Sequence, residues 1–115
     1  MKFMIMLYER PTDWESVSAE RRDSALAEHD AFTAWLRERG IPYYGEAVAP
    51  PEKARTLRRQ EGDLVAEDGP YAPGEAHLGG FYVIDVPSMA EAEEVARRCP
   101  TGTGTEIRPI WASAR

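Results

Sequence analysis

Seven residues near the start of the chain, "KFMIMLY" (Lys2 to Tyr8), are apolar in both alternating sets: Phe3, Ile5 and Leu7 in one, Met4, Met6 and Tyr8 in the other. A period of two predicts a strand. Apolar residues on both sides of it predict cover on both faces, inside a sheet or at an interface. "ERPTDWESVS" then reads as a loop, with Pro11 and Asp13 as turn residues and Ser16 and Ser18 as candidate N-caps. From Ala19 to Arg39 the period lengthens to that of a helix. Ala25, Leu26, Phe32 and Leu36 share one face, while Glu20, Arg21, Glu28 and Arg37 fall mostly elsewhere. Gly40 suits the position just past the helix end, and Pro42 forbids continuation.

"PYYGEAVAPP" predicts a second strand that stops at Pro50-Pro51. "KARTLRRQ" and "LVAEDG" flank "QEGD", a pattern that predicts a mostly polar hairpin turning at Glu61 and Gly62. "GGFYVIDVP" is the strongest strand signal in the chain. Ser88 and Glu91 form an S-x-x-E capping box for a second helix, whose apolar stripe is Met89, Ala92, Val95, Ala96 and Cys99. Pro100 and "TGTG" end that helix, and "TEIRPIWA" predicts a last strand.

The order β-α-β, hairpin, β-α-β predicts an α+β fold, a ferredoxin-like α/β sandwich with an extra β-hairpin, as a single domain over residues 1–115. Both helices would cover one face of an antiparallel sheet. The other face, read with the double-sided first strand, predicts a homodimer with sheet packed on sheet.

Charge narrows the choice of partners. Twenty acidic residues against fourteen basic ones leave a formal charge of −6, the wrong sign for general nucleic-acid binding. The basic run Lys53, Arg55, Arg58 and Arg59 reads as a solvated edge hairpin rather than a phosphate-binding patch. The single cysteine, Cys99, has no intramolecular disulfide partner and suits a reducing cytoplasm. No apolar run is long enough for a membrane span, and no targeting segment is expected. GxGxxG before a helix, GxxxxGK[ST] and GxSxG are all missing, so no cofactor is expected.

"DGPY" (Asp68 to Tyr71), "LGGFYVIDVPS", "MKFMIMLY" at the front, "EHDAF" on the first helix and a late "RRCP" and "EIRPI" occur in order along nearly the whole chain. In that combination and spacing they resemble the YCII-related family, in its DGPF-loop branch. The resemblance implies a dimeric α+β barrel of ferredoxin-like subunits. It implies no particular reaction, although the wider superfamily includes small isomerases and monooxygenases. Members of the branch often lie near extracytoplasmic-function sigma factors, which implies a regulatory connection. The branch's loop usually continues roughly AETKEQ, where this chain has "APGEAH". Tyr71 thus replaces a Phe, Pro73 an acid, Glu75 a lysine, Ala76 the next acid and His77 a glutamine. The family's helix histidine is matched by His29.

His29 lies within the apolar stripe of the first helix, one turn from Ala25 and Phe32. Facing a sheet pocket it would act as a general acid or base, since an imidazole titrates close to working pH; facing a packed core it would be a structural histidine bonded to a carbonyl. Asp68 would either orient His29 or only fix the DGP turn through backbone N–H groups. Gly69 supplies a backbone conformation that other residues avoid, and Pro70 stiffens the turn. With Tyr71 and His77 these two residues would line the substrate site. A metal set of His29, Asp68, Glu75 and His77 is disfavoured because the four come from different segments without H-x-x-x-H spacing, so no metal is expected. Tyr8, Tyr43, Tyr44 and Tyr82 read as packing, Trp14, Trp35 and Trp111 as core or interface aromatics, and Cys99 as a buried small hydrophobe.

Two functions fit these residues. One is a small-molecule enzyme that uses a His29–Asp68 pair for proton transfer, with isomerase- or lyase-like chemistry, in a pocket between helix and sheet. The other is a non-catalytic dimeric module that binds a ligand or a regulatory partner.

Overall fold

In the computed structural model, which describes residues 1–111, the two periodicities of the sequence become six strands and two α-helices. In chain order these are β1 (Lys2–Glu9), α1 (Ala19–Glu38), β2 (Tyr43–Ala47), a short 3-10 turn (Pro51–Lys53), β3 (Arg55–Gln60), β4 (Asp63–Asp68), β5 (His77–Asp85), α2 (Met89–Arg98) and β6 (Gly104–Pro109). Ala112, at the end of the expected last strand, lies outside the described residues. Four strands pair antiparallel in the order β2-β5-β1-β6, an arrangement compatible with a ferredoxin-like α+β fold. β3 and β4 pair with each other in a separate two-stranded sheet. No helix among the described residues is long and apolar enough to cross a membrane.

Local chemistry sets the helix ends. Of the two candidate caps for α1, Ser18 acts, its Oγ accepting from the Arg21 N–H at 3.1 Å. Ser16 is engaged instead by the Asp13 carboxylate at 2.6 Å. At the other end Gly40 adopts φ +66°, and its N–H donates to the Arg37 carbonyl while the Ile41 N–H donates to that of Leu36, both at 3.0 Å. That pair of bonds is a Schellman stop, which is why the helix ends where glycine occurs. Ser88 caps α2 by accepting from the Glu91 N–H at 3.2 Å.

Phe3, Ile5 and Leu7 of β1 and Tyr82 and Ile84 of β5 form the floor of the core, continued by Val86. Phe32 and Leu36 of α1, and Ala92, Val95 and Ala96 of α2 with Cys99 just beyond it, pack down on that floor. Burying each of Phe3, Ile5, Leu36 and Ile84, which are essentially inaccessible, contributes about 2 kcal/mol.

Two expected core residues lie elsewhere. Leu26 is 63% exposed, because no side chain of α1 before Phe32 is buried. The buried contacts of α1 are made by Phe32 and Leu36, in its C-terminal half, and the first half of the helix buries no side chain. Met89 sits in the first turn of α2 at the rim of the core and is also exposed.

The second face of the sheet is open. Met4, Met6 and Tyr8 from β1 and Phe81 and Val83 from β5 are only half-buried there, and Tyr44 beside them is exposed. The double-sided pattern of β1 therefore places one apolar set in the core and the other on a surface.

Candidate functional site

His29 lies one turn before Phe32, the first buried residue of α1, and it is half-buried. Its Nδ1 is 2.8 Å from the hydroxyl of Tyr82, and the two rings lie nearly parallel with centroids 6.0 Å apart. Tyr82 is on the core face of β5, opposite Ile5 of β1 and Gly45 of β2, and is only 9% exposed. Phe32 meets its ring edge-on at 5.1 Å. Gly45 is what makes room for that ring: a Cβ there would stand 2.5 Å from the Tyr82 Cδ1 and 2.8 Å from the Phe81 carbonyl oxygen. Tyr82 is thus clamped between α1 and a neighbouring strand, with its hydroxyl presented to His29.

Burial pushes the Tyr82 phenol up to about 12, and the neighbouring Cys99, Tyr43 and Asp30 reinforce the shift. At neutral pH the group facing His29 is therefore a neutral hydroxyl. A hydroxyl can donate to a bare Nδ1 or accept from Nδ1–H, so it serves either neutral tautomer and the imidazolium as well. Among the described residues Nε2 has no hydrogen-bond partner. One ring nitrogen is thus held, and the half-buried ring keeps its second nitrogen without a partner among these residues. This is what a general acid–base residue requires.

The DGPY loop is built around different contacts. Asp68, the last residue of β4, has its Oδ1 2.7 Å from Arg55 Nη1 and is 86% exposed. Within this chain Asp68 is paired with Arg55 and His29 with Tyr82, so the expected His29–Asp68 pair is not formed. Gly69 adopts φ +104°, the left-handed region that glycine tolerates. Its N–H donates to the Ala54 carbonyl at 2.9 Å, and its own carbonyl accepts from the buried Thr56 hydroxyl at 2.7 Å. Pro70 and Tyr71 follow on the surface. Arg58 lies 4.5 Å above the Tyr71 ring and donates to its carbonyl at 2.9 Å. Glu75 reaches Arg10 at 3.6 Å, both of them exposed.

His77 opens β5, half-buried and opposite Glu9. It borders a cavity of about 30 Å³ that Trp14 and Gly79 also line. Five residues separate it from Tyr82, about 16 Å along a strand, so the two histidines occupy different places. Among the described residues no group of three or more His, Cys, Asp and Glu side chains is placed to hold a metal ion.

An open groove of about 520 Å³ lies away from His29, between the C-terminal end of α1 and α2. Trp35 lines it with the Arg39 and Arg98 guanidinium groups 4.9 and 4.6 Å from its ring, and Asp85, Glu91 and Glu94 stand alongside. Cys99 is buried, and burial pushes its thiol up to about 12, which makes it a poor nucleophile.

Tyr82 is the residue that reading the sequence missed. Its signal was present. Alternation in "GGFYVIDV" places Tyr82 with Ile84 on one face, and a buried tyrosine hydroxyl needs a polar partner. His29 is the polar residue within the stripe that packs on that face.

Residues 1–113 match the YCII-related domain. An uncharacterized protein of Rhizobium meliloti (strain 1021) is 28% identical, in an alignment that covers 96% of this chain and 92% of that protein. The match runs from β1 through β6, so it takes in His29, Tyr82 and the whole DGPY loop. The chain belongs to the YCII-related family.

Proposed function

We propose that the protein is a small-molecule enzyme in which His29 transfers a proton. The observation that carries this reading is the 2.8 Å contact between His29 Nδ1 and a buried, neutral Tyr82 hydroxyl, with Nε2 left available. Tyr82 takes the orienting part that the sequence pattern assigns to Asp68. Nε2 then removes or delivers a proton beside a carbonyl, as in an isomerisation or an elimination. Asp68, Gly69 and Pro70 shape the base of the DGPY loop, and Tyr71 and His77 form its rim. The protein works as a homodimer, with the open sheet face of each subunit on that of the other in a dimeric α+β barrel. Cover is what Met4, Met6, Phe81, Val83 and Tyr44 require on that face.

Proton exchange tests the assignment directly. Wild type and His29→Gln are incubated in D2O with a panel of 2-oxo acids, pyruvate included, and loss of the proton signal beside the carbonyl is followed by NMR. Exchange by the wild type above the buffer rate, falling by about two orders of magnitude in His29→Gln, supports the reading. Equal, saturable binding of a probe by both proteins with no exchange by either overturns it and leaves a dimeric ligand-binding or regulatory module.

A further inference from the structure

Helix α2 carries two Glu–Arg pairs at the spacing that favours an ion pair, one turn apart with the acid first. Glu93 and Arg97 make theirs, at 3.1 Å. Glu94 and Arg98 do not. Arg98 turns instead to Trp35 of α1, its guanidinium carbon 4.6 Å from the ring centroid, and Arg39 approaches the same ring at 4.9 Å. Among the described residues neither of these two arginines forms an ion pair. Glu94 meets only Arg97 Nε, at 3.9 Å, and Glu91 pairs with no basic group among them. Asp85 is already neutralised by the N-terminal ammonium at 2.8 Å. All these groups border the open groove of about 520 Å³, within the range of small-molecule sites, about 300–1,000 Å³. Buried Val86 and Val95 and half-buried Ile41 give it an apolar lining, and Trp35 is set by its stacking on Phe32, with centroids 6.4 Å apart.

We propose that this groove binds a free apolar α-amino acid as its zwitterion, a second small-molecule site that does not depend on the role of His29. The ligand carboxylate lies on Arg39 and Arg98, its ammonium on Glu91 and Glu94, and its side chain against the apolar lining. The mixture of charges is the reason for choosing that ligand. A simple anion would face two guanidinium groups but also two carboxylates, and a simple cation would meet the same conflict reversed. A molecule with both charges on one carbon satisfies both sets. Glu94 and Arg98, one turn apart, have Cβ atoms about 6 Å from each other, close enough for one small zwitterion to reach both. The planar fork of a guanidinium suits a carboxylate, and a compact ammonium suits two neighbouring acids. Neither arginine has an ion pair to break, and Trp35 holds both near the groove, so binding needs little reordering. Exposed charges are well solvated, which sets the expected dissociation constant at about 1 mM or somewhat below.

An NMR titration of the tryptophan indole N–H signals tests the proposal, with Trp35→Phe made to assign the signal of Trp35. The probes are L-phenylalanine, 3-phenylpropionate, which lacks the ammonium, and phenethylamine, which lacks the carboxylate. A saturable shift of the Trp35 signal with L-phenylalanine, and binding of both analogues about tenfold weaker or worse, support it. Arg98→Gln and Glu94→Gln, both at exposed positions, should each weaken L-phenylalanine by about tenfold, with circular dichroism to establish that they fold as wild type does. No saturable shift at Trp35 overturns the proposal. So does either analogue binding as tightly as L-phenylalanine, since one of the two charged subsites would then be idle. Unchanged binding by either folded variant likewise overturns it. The comparison of the three probes on the wild type stands by itself should a variant not fold.

Discussion

The contact between His29 and Tyr82 predicts an energetic coupling that a double-mutant cycle measures. Tyr82→Phe removes the hydroxyl and leaves the ring, so the edge contact with Phe32 and the apolar burial are retained. His29→Ala keeps a good helix former at its position on α1. A neutral hydrogen bond contributes about 0.5–1.5 kcal/mol net. His29 is half-buried, so water partly replaces the lost partner, and a coupling of about 0.5–1 kcal/mol is expected. Urea unfolding of wild type, both single variants and the double variant, all at one protein concentration, gives the four free energies. With a slope of about 1–2 kcal/mol/M, Tyr82→Phe should lower the midpoint by about 0.5 M. In the His29→Ala background the same substitution should shift it far less. Additivity within about 0.3 kcal/mol would refute the reasoning, because the hydroxyl would then not be holding the imidazole.

Two further expectations come from the surroundings of the same tyrosine. Gly45→Ala should destabilise by about 1–3 kcal/mol, since its Cβ would meet both the Tyr82 ring and the Phe81 carbonyl, and backbone cannot yield. Gly79→Ala, whose Cβ would meet only the end of the Glu9 side chain, should be far milder; equal losses in thermal melts would contradict this. Alkaline pH should also weaken the fold. Tyr82 is raised from 10.0 to about 12 and Cys99 from 9.0 to about 12, both chiefly by burial. Below pH 9 the folded and unfolded chains both keep these protons. Between about 9 and 12 only the folded chain keeps them, so stability falls as pH rises through that window. The melting temperature should therefore drop from about pH 9 upward, and less steeply in a Tyr82→Phe/Cys99→Ala variant. Identical profiles would mean that neither group is shielded as the structure indicates.

Periodicity and punctuation carried most of the architecture. Where Gly40, Ser88 or the Glu61-Gly62 turn governs the backbone, the governing interaction lies within a few residues, and a short stretch of sequence contains it whole. The apolar alternation of β1 likewise marked a strand with two demanding faces, since side chains in a strand must alternate. His29 stood out for a similar reason, as a polar residue inside an apolar stripe. What no local pattern holds is the meeting of distant segments. Fifty-three residues separate His29 from Tyr82, and only the crossing of α1 over β5 makes them neighbours. Asp68 shows the converse, for hairpin register gives its carboxylate to Arg55, thirteen residues away. Leu26 is exposed because only the half of α1 that carries Phe32 and Leu36 is buried, which is visible only once helix and sheet are laid together. The sequence alone determined which side chains wanted partners. The tertiary structure decided which partners they met, because a contact across the fold depends on the relative placement of whole elements.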